Sequence, residues 1–131
     1  MAIAQVARRR RMATRDSVEV PAVPPAVRHL DTCHVALGSD RAVSAILGVS
    51  PSQVSRWRRG QLPDLDNADR LAGLALVTEM LARWLEPETV NGWLHGVHAH
   101  LGDRSPVYLI GEGRVADVIG AIEAEKAGVY A

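Results

Sequence analysis

The sequence predicts an all-α protein, with an N-terminal helix-turn-helix domain followed by a small helical domain. Three observations predict it. The 131 residues are 47% hydrophobic but include no phenylalanine and only three Trp and two Tyr. The core must therefore come from Leu, Val, Ile and Ala, which favours helices packed on helices. Apolar residues recur at spacings of three and four, and no segment alternates as a half-buried strand would. Helix-start signals also recur: Ser50-Pro51 and Ser105-Pro106 each put a capping serine before a proline at the first helical position.

Residues 1–25 read as an extended leader. Arg8 to Arg11 repel one another, and Pro21, Pro24 and Pro25 follow in VEVPAVPP. Such an arm either reaches DNA phosphates or the minor groove, or is a solvated leader. A first helix is predicted over Ala26 to Leu37, with Val27, Leu30, His34 and Leu37 as its buried stripe. Cys33 on that helix reads as a small core residue. Gly38 ends the helix and Ser39 caps the next.

Asp40 to Gly60, DRAVSAILGVSPSQVSRWRRG, reads as two short helices joined by a tight turn. Ala42, Val43, Ile46 and Leu47 line one side of the first. Gly48 permits the positive φ the turn needs. In the second, Val54 and Trp57 face inward, leaving Ser52, Gln53, Arg56, Arg58 and Arg59 outward, and Gly60 closes it. This is the helix-turn-helix layout, whose second helix enters the major groove. The segment LGVSPSQVSRWRRG resembles the Xre class of helix-turn-helix proteins, with Ser44 standing where that class usually has alanine.

After Gly60, Asp64 and Asp66 are N-cap candidates for a long helix from about Asp66 to Leu85. Leu71, Leu74, Val77 or Thr78, Leu81 and Leu85 form one apolar side, and Leu76, Met80 and Trp84 extend it to another. A helix apolar on more than one side packs within its own chain and against a second copy, which implies a homodimer. The alternative is complete burial in its own domain. Pro87 starts a short helix through Trp93 and Leu94. The polar loop HGVHAHLGDR follows, then a brief helix from Ser105-Pro106. A last helix is predicted over about Gly113 to Ala127, with Val115, Val118, Ile119 and Ile122 on one face and Gly128 at its end.

Charge is segregated. Residues 1–60 carry ten arginines against four acids, a balance of +6, while residues 61–131 carry four arginines and one lysine against eleven acids, a balance of −6. A basic half suits a phosphate backbone, and an acidic half suits a different partner. A single cysteine excludes an internal disulfide and fits a reducing compartment. No apolar run is long enough to span a membrane, and the N-terminus lacks a hydrophobic signal core, so a cytoplasmic location is expected. His95, His98 and His100 near Asp103 have spacings that gather a metal, but with no cysteine nearby they read as a surface histidine loop, and no metal or other cofactor is expected. Cys33 and His34 point in different directions as helical neighbours. No catalytic constellation emerges, and the protein is expected not to be an enzyme.

The second half resembles the MbcA/ParS/Xre antitoxin family, partners of RES-domain toxins. The resemblance rests on Trp93-Leu94, Leu101-Gly102, Ser105-Pro106-x-Tyr108-Leu109-Ile110, Gly113-Arg114-Val115 and Val118-Ile119, in that order, and on the ending Ala127 to Ala131. With the helix-turn-helix it covers about residues 26–131. The loop Gly96 to Asp103 is histidine-rich where an Asn-rich turn is more usual. The resemblance implies that residues 26–62 bind operator DNA, and that residues 63–131 dimerise and bind a toxin that degrades NAD+. The C-terminal end, Lys126, Gly128, Val129, Tyr130 and Ala131, would then cover the NAD+ pocket. The residues suit this: the Tyr130 ring fits a slot built for a flat base, and the Ala131 carboxylate suits cations that hold phosphates. On the DNA side, Gln53 and Arg56 would address base edges and Ser52 either role, while Arg41, Arg58 and Arg59 would mostly neutralise phosphates. The alternative is a stand-alone Xre-like dimeric transcriptional regulator whose second half only dimerises.

Overall fold

The computed structural model describes residues 22–128; the first 21 residues of the expected leader, with Arg8 to Arg11, and the last three residues lie outside them, and Pro25, expected to end the leader, instead opens the first helix. Among the described residues, a long central helix is wrapped by six shorter ones. The helices are α1 (Pro25–Leu37), α2 (Asp40–Leu47), α3 (Pro51–Arg58), α4 (Leu65–Ala82), α5 (Pro87–His95), α6 (Pro106–Gly111) and α7 (Val115–Lys126), with a 3-10 turn at Ala99–Leu101. The described residues contain no strand, only an isolated bridge between His98 and Arg104. The all-α expectation holds.

Capping follows the local sequence closely. The hydroxyls of Ser39, Ser50 and Ser105 accept from the backbone N–H of Ala42 (3.1 Å), Gln53 (3.2 Å) and Tyr108 (3.2 Å). Each satisfies an orphan donor at a helix start. At the turn between α2 and α3, Gly48 sits at φ 70°, as its position requires. Asp64 flanks α4 but makes no side-chain cap; its carboxylate instead accepts from the Asn67 amide (2.6 Å). The last helix starts at Val115, two residues later than expected, because Gly113 takes a positive φ and Arg114 is non-helical.

One contiguous core contains residues from every α-helix but is centred on α4. Leu71, Leu74, Ala75, Val77, Thr78 and Leu81 of α4 are all buried. The most extensive packing is that of α1 on α4, with α7 also against α4 and α6 bridging α2 to α7. Close approach is built in at Gly73, where a Cβ would lie 2.9 Å from the Val115 side chain. A Cβ at Gly111 would lie 2.8 Å from the Ile46 carbonyl. The Gly111 carbonyl in turn accepts from Arg70 at 2.9 Å, and Arg70 also donates to the Asn67 side chain. The segment carrying the predicted helix-turn-helix and the segment after it thus meet through backbone contact, not through a loose linker.

The buried stripe of α1 differs from its prediction. Ala26, Leu30 and Cys33 are buried, Val27 and Leu37 are half-buried, and His34 is exposed. The face turned to α4 is one position off the predicted one, and an imidazole is left in solvent instead of in the core. Burial pushes the Cys33 thiol up to about 12, so it is a packed hydrophobe and not a nucleophile.

Candidate functional site

The packing of α3 follows from two residues. Val54 and Trp57 are buried against the core, and Trp57 is the largest fully buried side chain among the described residues. That leaves Ser52, Arg56 and Arg59 exposed and Gln53 half-exposed along the opposite side, with Arg41 exposed at the first turn of α2. The structure therefore places Arg41, Ser52, Gln53, Arg56 and Arg59 as solvent-facing polar groups. Arg59 also donates to the Ser55 hydroxyl at 3.1 Å. Ser44, buried in α2, satisfies its hydroxyl by donating to the Arg41 carbonyl at 2.7 Å.

Arg58 departs from its expected place among the outward cations. Its Nε and Nη2 donate to the two oxygens of Asp40 (2.5 and 2.9 Å), and its Nη1 donates to Asp31 (2.7 Å). The physical reason is its register: four residues after Val54, it lies on the flank of the buried face and reaches back to α1 and α2. The pairing is charge-assisted and bidentate. The Arg58 hydrogen bonds hold the Asp40 carboxyl below its ordinary value, against a smaller opposing effect of burial, and the two carboxylates raise Arg58.

A carboxyl with a lowered value stabilises the fold above its unfolded value of about 3.9 and loses that contribution as acid protonates it. The difference in melting temperature between wild type and Asp40→Asn is therefore expected to be largest near neutral pH. It should shrink as the pH falls below about 4; a constant difference down to pH about 2 would contradict the pairing.

The C-terminal residues form the second region. Lys126 ends α7 exposed, and Gly128 follows at φ 70°, donating to the Glu125 carbonyl at 3.0 Å. Val129, Tyr130 and Ala131 lie outside the described residues. One residue before the helix end, Glu125 accepts from the Trp93 indole at 2.7 Å and lies 3.8 Å from His98 Nδ1. His98 Nε2 donates to the Trp93 carbonyl at 2.8 Å, and the two rings stack tilted with centroids 4.4 Å apart. His98 is thus half-buried in a clasp across the loop; His95 and His100 are exposed, and His95 Nδ1 donates to the Asn91 carbonyl at 3.0 Å. No sequence signal marks this cluster: Trp93 and Glu125 are 32 residues apart, and no periodicity links a loop histidine to a late helix. Among the described residues, no group of three or more His, Cys, Asp or Glu is placed to hold a metal. No described helix is long and apolar enough to cross a membrane.

Comparison with known proteins assigns the class. No family model matches the chain. The Mycobacterial cidal antitoxin MbcA of Mycobacterium tuberculosis is 35% identical over 89 residues, covering 67% of this chain and 79% of the relative, and that of Mycobacterium bovis matches equally. The crystal structure of the M. tuberculosis MbcT–MbcA toxin–antitoxin complex matches with a TM-score of 0.67 and 30% identity, over 80% of this chain and 96% of the matched one. The fold is thus that of an all-helical antitoxin. The chain belongs to the family of the mycobacterial cidal antitoxin MbcA.

Proposed function

We propose that this antitoxin binds and neutralises a RES-domain toxin that degrades NAD+, covering the toxin's active site with its C-terminal tail, and that it represses its own operon as a DNA-binding homodimer. The observation that carries the reading is the match to MbcA in both sequence and structure, the structure being that of an antitoxin in complex with its toxin. Residues 63–131 would serve the toxin, through Lys126, Gly128, Val129, Tyr130 and Ala131. Dimerisation would use the face of α4 and its end where Leu76 and Trp84 remain exposed and Met80 is half-buried. Residues 26–62 would serve DNA, with α3 in the major groove. There Gln53 and Arg56 would meet base edges, Ser52 a base or a phosphate, and Arg41 and Arg59 phosphates.

The decisive experiment is co-purification with the product of the neighbouring gene, scored by NAD+ consumption. A stable complex that consumes no NAD+, set against a free partner that does, supports the reading. Absence of any complex would leave the stand-alone dimeric Xre-like regulator as the function. On the DNA side, Arg56→Ala is expected to weaken promoter binding by about 1–3 kcal/mol and to relax the sequence preference at the base it meets. Unchanged affinity and preference in a purified dimer would show that α3 is not the reading helix.

A further inference from the structure

We infer that Arg58 is the positioning residue of the DNA-reading helix: it sets α3 against α1 and α2 through Asp31 and Asp40, and makes no phosphate contact of its own. The inference rests on the DNA-binding reading above and deepens it. Arg58 is the last residue of α3, Asp40 the first of α2, and Asp31 lies within α1. One guanidinium therefore ties together all three helices of the unit. Three of its five N–H donors are used, two of them in a fork onto Asp40.

Two physical arguments separate this role from that of its neighbours. The first is directionality. Val54 and Trp57 hold α3 to the core by apolar contact, which is non-directional and leaves rotation of an eight-residue helix about its axis weakly specified. Hydrogen bonds are directional, and a planar fork on a carboxylate specifies an orientation. Base readout by Gln53 and Arg56 needs donors and acceptors brought to about 3 Å with correct angles, so a small rotation of α3 is enough to lose it. The second argument is charge. Arg58 lies between two carboxylates. A phosphate reaching its two unused N–H groups would meet a guanidinium whose charge Asp31 and Asp40 already balance, with both carboxylates close enough to repel the DNA. Phosphate neutralisation then falls to the exposed Arg41 and Arg59.

The salt dependence of DNA binding distinguishes the roles, because each phosphate contact contributes about 0.9 to the slope of log K against log salt. The probes are a duplex spanning the promoter of the protein's own gene and a scrambled duplex of equal length. In a dimer, Arg59→Gln is expected to flatten the slope by about 1.8, from two lost contacts, and to weaken both duplexes alike. Arg58→Lys keeps the charge but loses the fork. It is expected to keep the wild-type slope while losing promoter affinity by about tenfold or more, with little change on the scrambled duplex. Arg58→Gln should also keep the wild-type slope, but with a further loss of affinity on both duplexes, because Asp31 and Asp40 are then left unpaired to repel the DNA. Should Arg58→Gln fail to fold, Arg58→Lys decides alone, its helical content checked at the binding temperature.

Wild-type affinity in Arg58→Lys, or a slope flattened in Arg58→Gln as in Arg59→Gln, would make Arg58 an ordinary phosphate contact and overturn the inference. Loss of the helical fold in Arg58→Lys would overturn it as well, by making Arg58 a general stability residue. Wild-type protein that does not prefer its promoter would refute the DNA-binding reading itself, which is a different failure.

Discussion

Deleting residues 128–131 is expected to give a protein that folds and still binds its toxin but no longer silences it. The deletion removes Gly128 and the three residues beyond it, while α7 and the core contributions of Val118, Ala121 and Ile122 remain. No residue of the described core is lost, so stability should be nearly unchanged. Under the proposed function the loss falls on the active-site plug. The Tyr130 ring would fill the slot of a flat base, and anchors of this kind carry about 2–4 kcal/mol when truncated. With a saturating amount of the truncated protein, NAD+ loss should return towards the rate of the free toxin, and Tyr130→Ala alone should reproduce most of the effect. A truncated protein that inhibits as well as the full chain would eliminate the plug. Neutralisation would then have to act through the body of the domain.

Replacing Trp57 is expected to have the largest effect on the fold. Trp57 is 1% exposed and is the largest side chain in the core. Truncating such a residue to alanine costs about 3–5 kcal/mol, through lost burial and the cavity left behind. Set against a total stability of about 5–15 kcal/mol for a domain, Trp57→Ala should unfold at a much lower temperature or fail to accumulate. Trp57→Phe should be far milder. It keeps much of the apolar surface, and it removes an indole N–H that has no hydrogen-bond partner among the described residues. Melting followed by circular dichroism separates the three proteins. Equal melting temperatures for wild type and Trp57→Ala would mean that α3 is not anchored as described.

The two predictions draw on different parts of the sequence. The anchor on α3 is legible in the sequence alone, because Val54 and Trp57 at a spacing of three, between Ser50-Pro51 and Gly60, mark which side of an eight-residue helix turns to the core. The pairing of Arg58 is not legible there. Its partners are 18 and 27 residues away, and its position on the flank of the buried face is compatible with either an inward or an outward guanidinium. His34 fails in the opposite sense. It fits the spacing of an apolar stripe, but Cys33 occupies the buried position beside it, and periodicity alone does not choose between adjacent residues.

The all-helical class, the order of the helices and most of their caps are written into the chain locally. They depend on interactions within four residues: serine hydroxyls on nearby amides, proline at the first helical position, glycine where φ turns positive. The resemblance to the antitoxin family is carried at the same level, in short motifs and their order. Other features exist only once the helices are assembled. Packing selects which side of α1 meets α4, joins three helices through Arg58, closes Trp93, His98 and Glu125 on one another, and brings the Gly111 backbone to the Ile46 carbonyl. Those contacts link residues distant in the chain, up to tens of positions apart. Their geometry comes from how whole helices pack around α4, which no local pattern encodes.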